Sequence, residues 1–350
     1  MNKTNKTRKP VTYRDAGVDI DAKERALERA KPLVRQTFSP QVVSDIGAFG
    51  SMFALARGDF EDPVLVASVD SVGTKLKVAF MTGRHDTVGE DIVNHCVNDI
   101  LVQGARALFF MDYLGVGKLE AEVFRQVMEG LVRGCKRARC SLIGGETAEL
   151  PGLYAAGEYD LVGFVVGAVE RARIVTGKEV RAGDVLLGLG SNGLHTNGYA
   201  LARKALFEIA GYGPNDRVEQ LGTTIADELL RVHRCYAPAV LPLLDSKGIH
   251  GIAHITGGGI PDNLRRILPE ECRAVVRRSA WLVPPIFELI RSIANTPDED
   301  LFRTFNMGIG LIVVVASTQA GYIADRLAKA GETCYHIGEI VRGERAVEIR

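Results

Sequence analysis

The sequence carries no excess charge of either sign: Lys and Arg together number 43, and so do Asp and Glu. A neutral chain projects no global field toward nucleic acid or an anionic membrane surface, so neither is expected as a partner and any bound anion must be gripped locally. Long apolar runs are missing too. The longest clean stretch, Leu311 to Ala316, is far short of the ~20 residues that span a bilayer. The basic opening "MNKTNKTRKP" is followed by no apolar segment, so residues 1–12 read as a flexible arm and not as a signal peptide. Cys96, Cys135, Cys140, Cys235, Cys272 and Cys334 form no CxxC pair and no ligand-like spacing to histidine. Scattered thiols of this kind read as reduced and mostly buried, in a cytoplasmic protein. There is no GxxxxGKS/T phosphate loop.

What is present is a globular composition, 46% hydrophobic and 25% charged over 350 residues, enough for two domains of the usual ~100–200 residues. Strand-like runs lie at 63–70, 107–113, 141–144 and 160–169, rich in β-branched and aromatic residues. Between them, helical spacing puts Ile92, Val93, Cys96, Val97, Ile100 and Leu101 on one wide face of a helix over 86–103, and Val123, Phe124, Val127, Leu131 and Val132 on one face of a helix over 120–139. The polar stretch "ERARIVTGKEVRAGD" reads as a boundary, dividing an N-terminal domain, 13–170, from a C-terminal one, 171–350. In the second domain the pattern predicts strands at 185–190, 252–256, 273–277, 309–316 and 334–341, with helices at 197–210, 224–246, 284–295 and 318–330. Strict βαβ alternation is absent, so the fold class is α+β, a mixed α/β arrangement in two domains.

Four short stretches carry chemistry. In "DSVGTK", Asp70 ends a strand, where its carboxylate is free to face a ligand; Thr74 offers a hydroxyl and Lys75 an ammonium. A carboxylate repels phosphate unless a divalent cation sits between them, and Mg²⁺ is bound through one or two carboxylates plus phosphate oxygens. An ordinary turn with a surface lysine would look the same in isolation. Asp99 borders the apolar face of the 86–103 helix near its C-terminus, where an acid opposes the helix dipole, so a metal or a basic partner is expected beside it. "SLIGGETAELPGLY" runs a strand into Gly144-Gly145, whose backbone a ligand can approach, followed by Glu146 as a metal candidate and Thr147. "GLHTNGYALARK" and "AHITGGGIPDNLRR" are each a glycine-lined loop opening a helix, a setting that favours anions. His195, with Thr196 and Asn197, sits in the first and Gly257-Gly258-Gly259 in the second. The other histidines, His85, His95, His233, His250, His254 and His336, have no such setting and read mostly as structural or surface residues.

Together with "YRDAGVDIDA" (13–22), "LFFMDY" and "FNMGIG" (305–310), these stretches closely resemble the phosphoribosylformylglycinamidine cyclo-ligases, the aminoimidazole ribonucleotide synthetases of purine biosynthesis. The likeness covers nearly the whole chain after the first dozen residues. Ser71 stands where that family usually has Gly, and Asn263-Leu264-Arg265-Arg266 replaces its usual Asn-Ile-Pro-Arg. The resemblance implies two α/β domains, with the N-terminal ones binding ATP and Mg²⁺ and pairing in a homodimer, and the C-terminal ones binding the ribonucleotide. It implies an ATP-dependent, C–N bond-forming ligase. The formyl amide oxygen of the substrate attacks the γ-phosphate; the amidine nitrogen then attacks the resulting imidate phosphate, and phosphate leaves as the imidazole closes. It implies Mg²⁺ on Asp70 and Asp99, with Glu146 and Asp45 as further ligands, and ATP contacts from Lys31, Thr74, Lys75, Gly144, Gly145, Glu146 and Thr147. It implies substrate contacts from His195, Thr196, Asn197 and the three glycines, with His195, Lys75 and Asp70 in catalysis. A thiamine monophosphate kinase-like enzyme of the same superfamily is the alternative, and an inert nucleotide-binding scaffold a second one.

Overall fold

A computed structural model describes residues 12–14, 16–47 and 49–350, so the arm expected over 1–12 lies, Thr12 apart, outside the described residues. In chain order the helices are α1 (Ile20–Val34), α2 (Leu76–Thr82), α3 (Val88–Leu101), α4 (Ala121–Ala138), α5 (Tyr199–Arg203), α6 (Ile225–Leu229), α7 (Ala237–Val240), α8 (Gly259–Arg265), α9 (Pro285–Ala294), α10 (Asp298–Thr304) and α11 (Ala320–Lys329). The strands are β1 (Pro63–Ser71), β2 (Arg106–Val116), β3 (Ser141–Glu149), β4 (Tyr159–Glu170), β5 (Val185–Gly190), β6 (Arg217–Val218), β7 (Thr223–Thr224), β8 (Ile249–His254), β9 (Cys272–Val276), β10 (Ile309–Val315), β11 (Cys334–Arg342) and β12 (Ala346–Ile349). They form a four-stranded sheet, β1-β4-β2-β3, a six-stranded sheet, β12-β9-β11-β5-β10-β8, and the small β6-β7 hairpin. The chain passes from the first sheet to the second between Glu170 and Val185.

Periodicity located most elements of both sheets, but two expectations need correction. The helix expected over 224–246 is broken into α6, an extended segment, α7 and a short 3₁₀ turn; Pro238 and Pro242 lack the N–H a continuous helix needs, and the backbone of 230–236 is engaged elsewhere. The helix expected over 197–210 is α5 followed by a π-helical turn over Lys204–Ile209. Elements α1, α2, α10 and β12 carried no clear signal. Of these α1 matters most; Asp19 caps it by accepting from the Ala22 N–H.

Helix α3 is the keystone. Every one of its residues except Asp99 is buried, because it lies between the first sheet and the C-terminal half. It crosses α4 at unusually close range: a Cβ at Gly89 would stand 2.2 Å from the Val127 carbonyl oxygen, and one at Gly130 would stand 2.4 Å from that of Asp86. Glycine at both positions is what admits this approach. The helices cover one face of the first sheet. Its opposite face leaves Leu65 60% and Val69 62% exposed.

One row of this sheet places the site. Asp70 on β1 pairs with Gly163 on β4, Gly163 with Asp112 on β2, and Asp112 with Gly145 on β3. Cross-strand partners share a face, so both aspartates point to the helix side, two strands or roughly 10 Å apart. The space between them is filled: a Cβ on Gly163 would meet the Phe110 ring at 2.3 Å and Ile92 at 2.7 Å.

Candidate active site

That filled row divides two cavities. The larger, about 890 Å³, lies between the two halves and is lined by Ser68, Asp70, His95, Asp99, Asn197, His254, Gly257 and Arg266 among others. The second, about 670 Å³, lies between α1, α4 and β3 and is lined by Lys23, Lys31, Asp112, Gly144, Gly145, Glu146 and Thr147 among others.

In the first cavity the strand end delivers Asp70, and α3 delivers His95 and Asp99, four residues apart and so on one face. His95 Nε2 lies 2.8 Å from Asp70 Oδ2 and 3.8 Å from Asp99 Oδ2. His254, at the end of β8, holds Asp99 Oδ1 through Nδ1 at 2.8 Å, and the Ser68 hydroxyl donates to Asp99 Oδ2 at 3.0 Å. Ligand atoms of His95, Asp99 and His254 all lie within 4.8 Å of one another. Burial raises the pKa of both carboxyls, but the His95 contact on Asp70 and the His254 contact on Asp99 outweigh it, and both stay below the ordinary aspartate value. For His95 burial works against the charged form, yet Asp70 and Asp99 raise its pKa overall. For His254 burial wins and its pKa falls. Behind this wall the Thr196 hydroxyl lies 2.7 Å from His95 Nδ1 and 3.2 Å from His233 Nδ1, and His233 Nε2 lies 3.0 Å from His254 Nε2. Reading these histidines as structural therefore missed the centre of the site. The available signals were the four-residue spacing of His95 to Asp99 and the place of His254 between a strand and three glycines.

Several expected roles do not match the geometry. Lys75 is fully buried, and its Nζ is used up by Asp91 Oδ2 at 2.8 Å, the Arg231 carbonyl at 2.7 Å and the His195 carbonyl at 3.2 Å. It joins the two halves and has no donor left for phosphate. Thr74 is exposed on the preceding turn and lines neither cavity. The His195 ring does not face the first cavity: it is buried, stacked on His233 with centroids 4.0 Å apart, with both ring nitrogens unpartnered and φ at 62°. Its neighbour Asn197 and Gly257 are on the cavity wall, whereas Gly258 and Gly259 turn the chain with φ of 93° and 60°. The four expected metal ligands do not converge either. Glu146 pairs with Lys23 at 3.2 Å in the second cavity, because β3 is the opposite sheet edge from β1. Asp45 pairs with Arg35 on the surface, and that hydrogen bond pulls its pKa to about 2. Lys31, Gly144, Gly145, Glu146 and Thr147 do come together, in the second cavity.

Comparison with known proteins agrees with this two-part architecture. Residues 55–169 match the family "AIR synthase related protein, N-terminal domain", and residues 181–349 match its C-terminal domain. A phosphoribosylformylglycinamidine cyclo-ligase from Geotalea daltonii is 50% identical over 338 residues, covering 97% of each chain. One from Alkaliphilus oremlandii is 49% identical over 337 residues, covering 96% of this chain and 99% of its own. The chain belongs to the phosphoribosylformylglycinamidine cyclo-ligase family. Among solved structures, the cyclo-ligase fold seen here is similar to a thiamine-monophosphate kinase from Stenotrophomonas maltophilia, at 18% identity, TM-score 0.67, and 93% and 95% coverage of the two chains. It is also similar to a hydrogenase maturation protein from E. coli, at 16% identity, TM-score 0.65, and 92% and 93% coverage. Those two likenesses concern the fold. Between the cyclo-ligase and the kinase readings, near-full-length identity decides for the former. Among the described residues all six cysteines are free thiols and no helix is long and apolar enough to cross a membrane.

Proposed function

We propose that the protein closes the imidazole ring of aminoimidazole ribonucleotide from formylglycinamidine ribonucleotide, consuming ATP and releasing ADP and phosphate. Identity of about one residue in two across 97% of both chains carries this reading. An amide oxygen is a poor leaving group until it is phosphorylated, and phosphoryl transfer asks chiefly for positioning and charge neutralisation. The first cavity suits that demand, offering paired carboxylates, imidazoles and a guanidinium but no activated nucleophile.

The Asp70 and Asp99 carboxylates are hard oxygen donors on the wall of the same cavity, lying 2.8 and 3.8 Å from His95 Nε2, and donors of this kind fit Mg²⁺. These two residues would hold the ion, which would supply charge neutralisation for phosphate oxygens. Asn197, Gly257 and Arg266 are assigned to the ribonucleotide. Of the two neighbouring arginines only Arg266 is on the cavity wall; Arg265 lies outside it, its carbonyl accepting from Arg345. The nucleotide is assigned to Lys31, Gly144, Gly145, Glu146 and Thr147. Incubated with ATP, Mg²⁺ and formylglycinamidine ribonucleotide, the protein should release ADP and aminoimidazole ribonucleotide in equal amounts. ATP consumed only with another acceptor, such as thiamine monophosphate, would overturn the reading.

The open face of the first sheet supports a homodimer. Leu65 and Val69 stand beside half-buried Phe164 and Val166 on β4, an apolar strip on an edge strand that a second copy would cover. Light scattering should give the dimer mass at micromolar concentration, and Val69→Glu should give the monomer. A wild-type monomer under those conditions counts against pairing.

A further inference from the structure

The second cavity has a feature that ATP binding in general does not call for: a carboxyl in its wall with no partner. Asp112 points into the cavity from β2. Among the described residues its carboxylate receives no hydrogen bond except from its own backbone N–H. Gly145 faces it so closely that a Cβ there would stand 2.6 Å from Asp112 Oδ1. Part of the wall is apolar, with Leu27 and Val34 from α1, Phe124 and Met128 from α4, and Leu142 from β3. Lys23 and Lys31 lie on the α1 side.

We propose that this cavity takes the purine base of ATP and that Asp112 is the residue that reads the base, through its 6-amino edge. The inference rests on the ATP-dependent function proposed above. Flat apolar walls suit a heteroaromatic ring, and a single unpaired hydrogen-bonding group deep in such a wall fixes its orientation. Adenine presents an amino donor beside a ring-nitrogen acceptor. A protonated carboxyl presents the complement, a carbonyl acceptor beside an O–H donor, and a carboxamide does the same, as in the pairing of Asn with adenine. A carboxylate offers acceptors only and would face the ring-nitrogen lone pair.

Burial holds the Asp112 carboxyl up at about 7, its own N–H pulling weakly the other way. The charged or titratable groups around it are Lys23 and Lys31 on α1, Glu146 on β3 and Cys135 on α4, whose thiol is pushed up chiefly by burial, with a contribution from Asp112. The base-reading form is thus the acid, present below neutrality and lost as pH rises past 7. Lys23 pairs with Glu146 and Lys31 with Glu28.

Calorimetric titration of the full chain with ATP, and with purine riboside triphosphate, which lacks the 6-amino group, tests this. Wild type at pH 6 should bind ATP about tenfold more tightly than the analogue, the worth of one hydrogen bond of this kind. That preference should shrink at pH 8.5. Asp112→Asn, of the same shape, should keep the preference at both pH values, and Asp112→Ala should bind both nucleotides equally. If Asp112→Ala still prefers ATP tenfold, or if wild type never discriminates, Asp112 does not read the base. If Asp112→Ala does not fold, discrimination by Asp112→Asn that falls with pH as wild type's does would overturn the proposal equally well. Ring closure by wild type alongside any of these negative results leaves the proposed function standing. Failure of wild type to bind ATP at all removes both.

Discussion

Asp70→Asn should lower turnover by about 10³-fold while the protein melts where wild type does. The side chain is 41% exposed, so it contributes little packing, and asparagine preserves its size and its ability to accept from His95. What is lost is one negative charge of the Asp70–Asp99 pair. A carboxylate would act on phosphoryl transfer through the cation it holds, and losing one preorganised electrostatic contact is commonly worth about 10²–10³ in rate, with a residue that orders the ion at the upper end of that range. The measurement is ADP release under saturating ATP, set beside a melting curve and a Mg²⁺ titration. Turnover within a few-fold of wild type, with unchanged Mg²⁺ dependence, would remove Asp70 from the metal site. A large drop in melting temperature would instead make its pairing with His95 structural.

Lys75→Met is expected to act on stability. The substitution leaves Asp91 fully buried with no cation, and breaking a buried pair by removing one partner costs about 3–5 kcal/mol. Burial alone pushes the Lys75 ammonium toward neutrality; Asp91 is what opposes it. Removing Asp91's charge as well, in Lys75→Met/Asp91→Asn, should recover much of the loss, since an asparagine oxygen can still accept the His233 N–H that Asp91 accepts at 2.7 Å. Because Lys75 also holds the Arg231 and His195 carbonyls, the single variant should melt in two calorimetric steps where wild type melts in one. Had Lys75 been a phosphate contact, the same variant would keep its melting curve and raise the KM for ATP.

These two residues show where sequence reading succeeded and where it stopped. Asp70 ends a strand whose apolar pattern is legible, and a strand end is a local fact; its exposure to a cavity followed. Lys75 lies five residues on, and its local context is equally polar and glycine-rich. Its actual partners come from 16, 120 and 156 residues away, and no periodicity reports separations of that kind. The wide apolar face of α3 was legible, but not that its remaining faces are buried by the C-terminal half, so His95 read as a structural or surface residue and Asp91 carried no signal. The joining of Lys31 to Gly144–Thr147 in one cavity came from family likeness, since nothing local links α1 to β3. Asp112 was passed over because a polar residue amid "LFFMDY" looks like the outward half of an ordinary alternation, and only the register shows it on the helix side.

Helix α3 grips the 233–236 segment of the C-terminal half chiefly by that segment's main chain. Asp91 accepts the His233 N–H, the Asn94 amide donates to the His233 carbonyl, and Asn98 donates to the Arg234 carbonyl while accepting the Tyr236 N–H. Four peptide groups spaced along 233–236 are thus threaded onto one helix face like teeth on a rack. Such a joint is blind to the identity of an intervening residue such as Cys235 and acutely sensitive to count. Exchanging a side chain there leaves every tooth engaged, whereas inserting or deleting a single residue shifts the whole rack out of mesh and carries His233, with its bond to His254, away from the Asp99 side of the cavity.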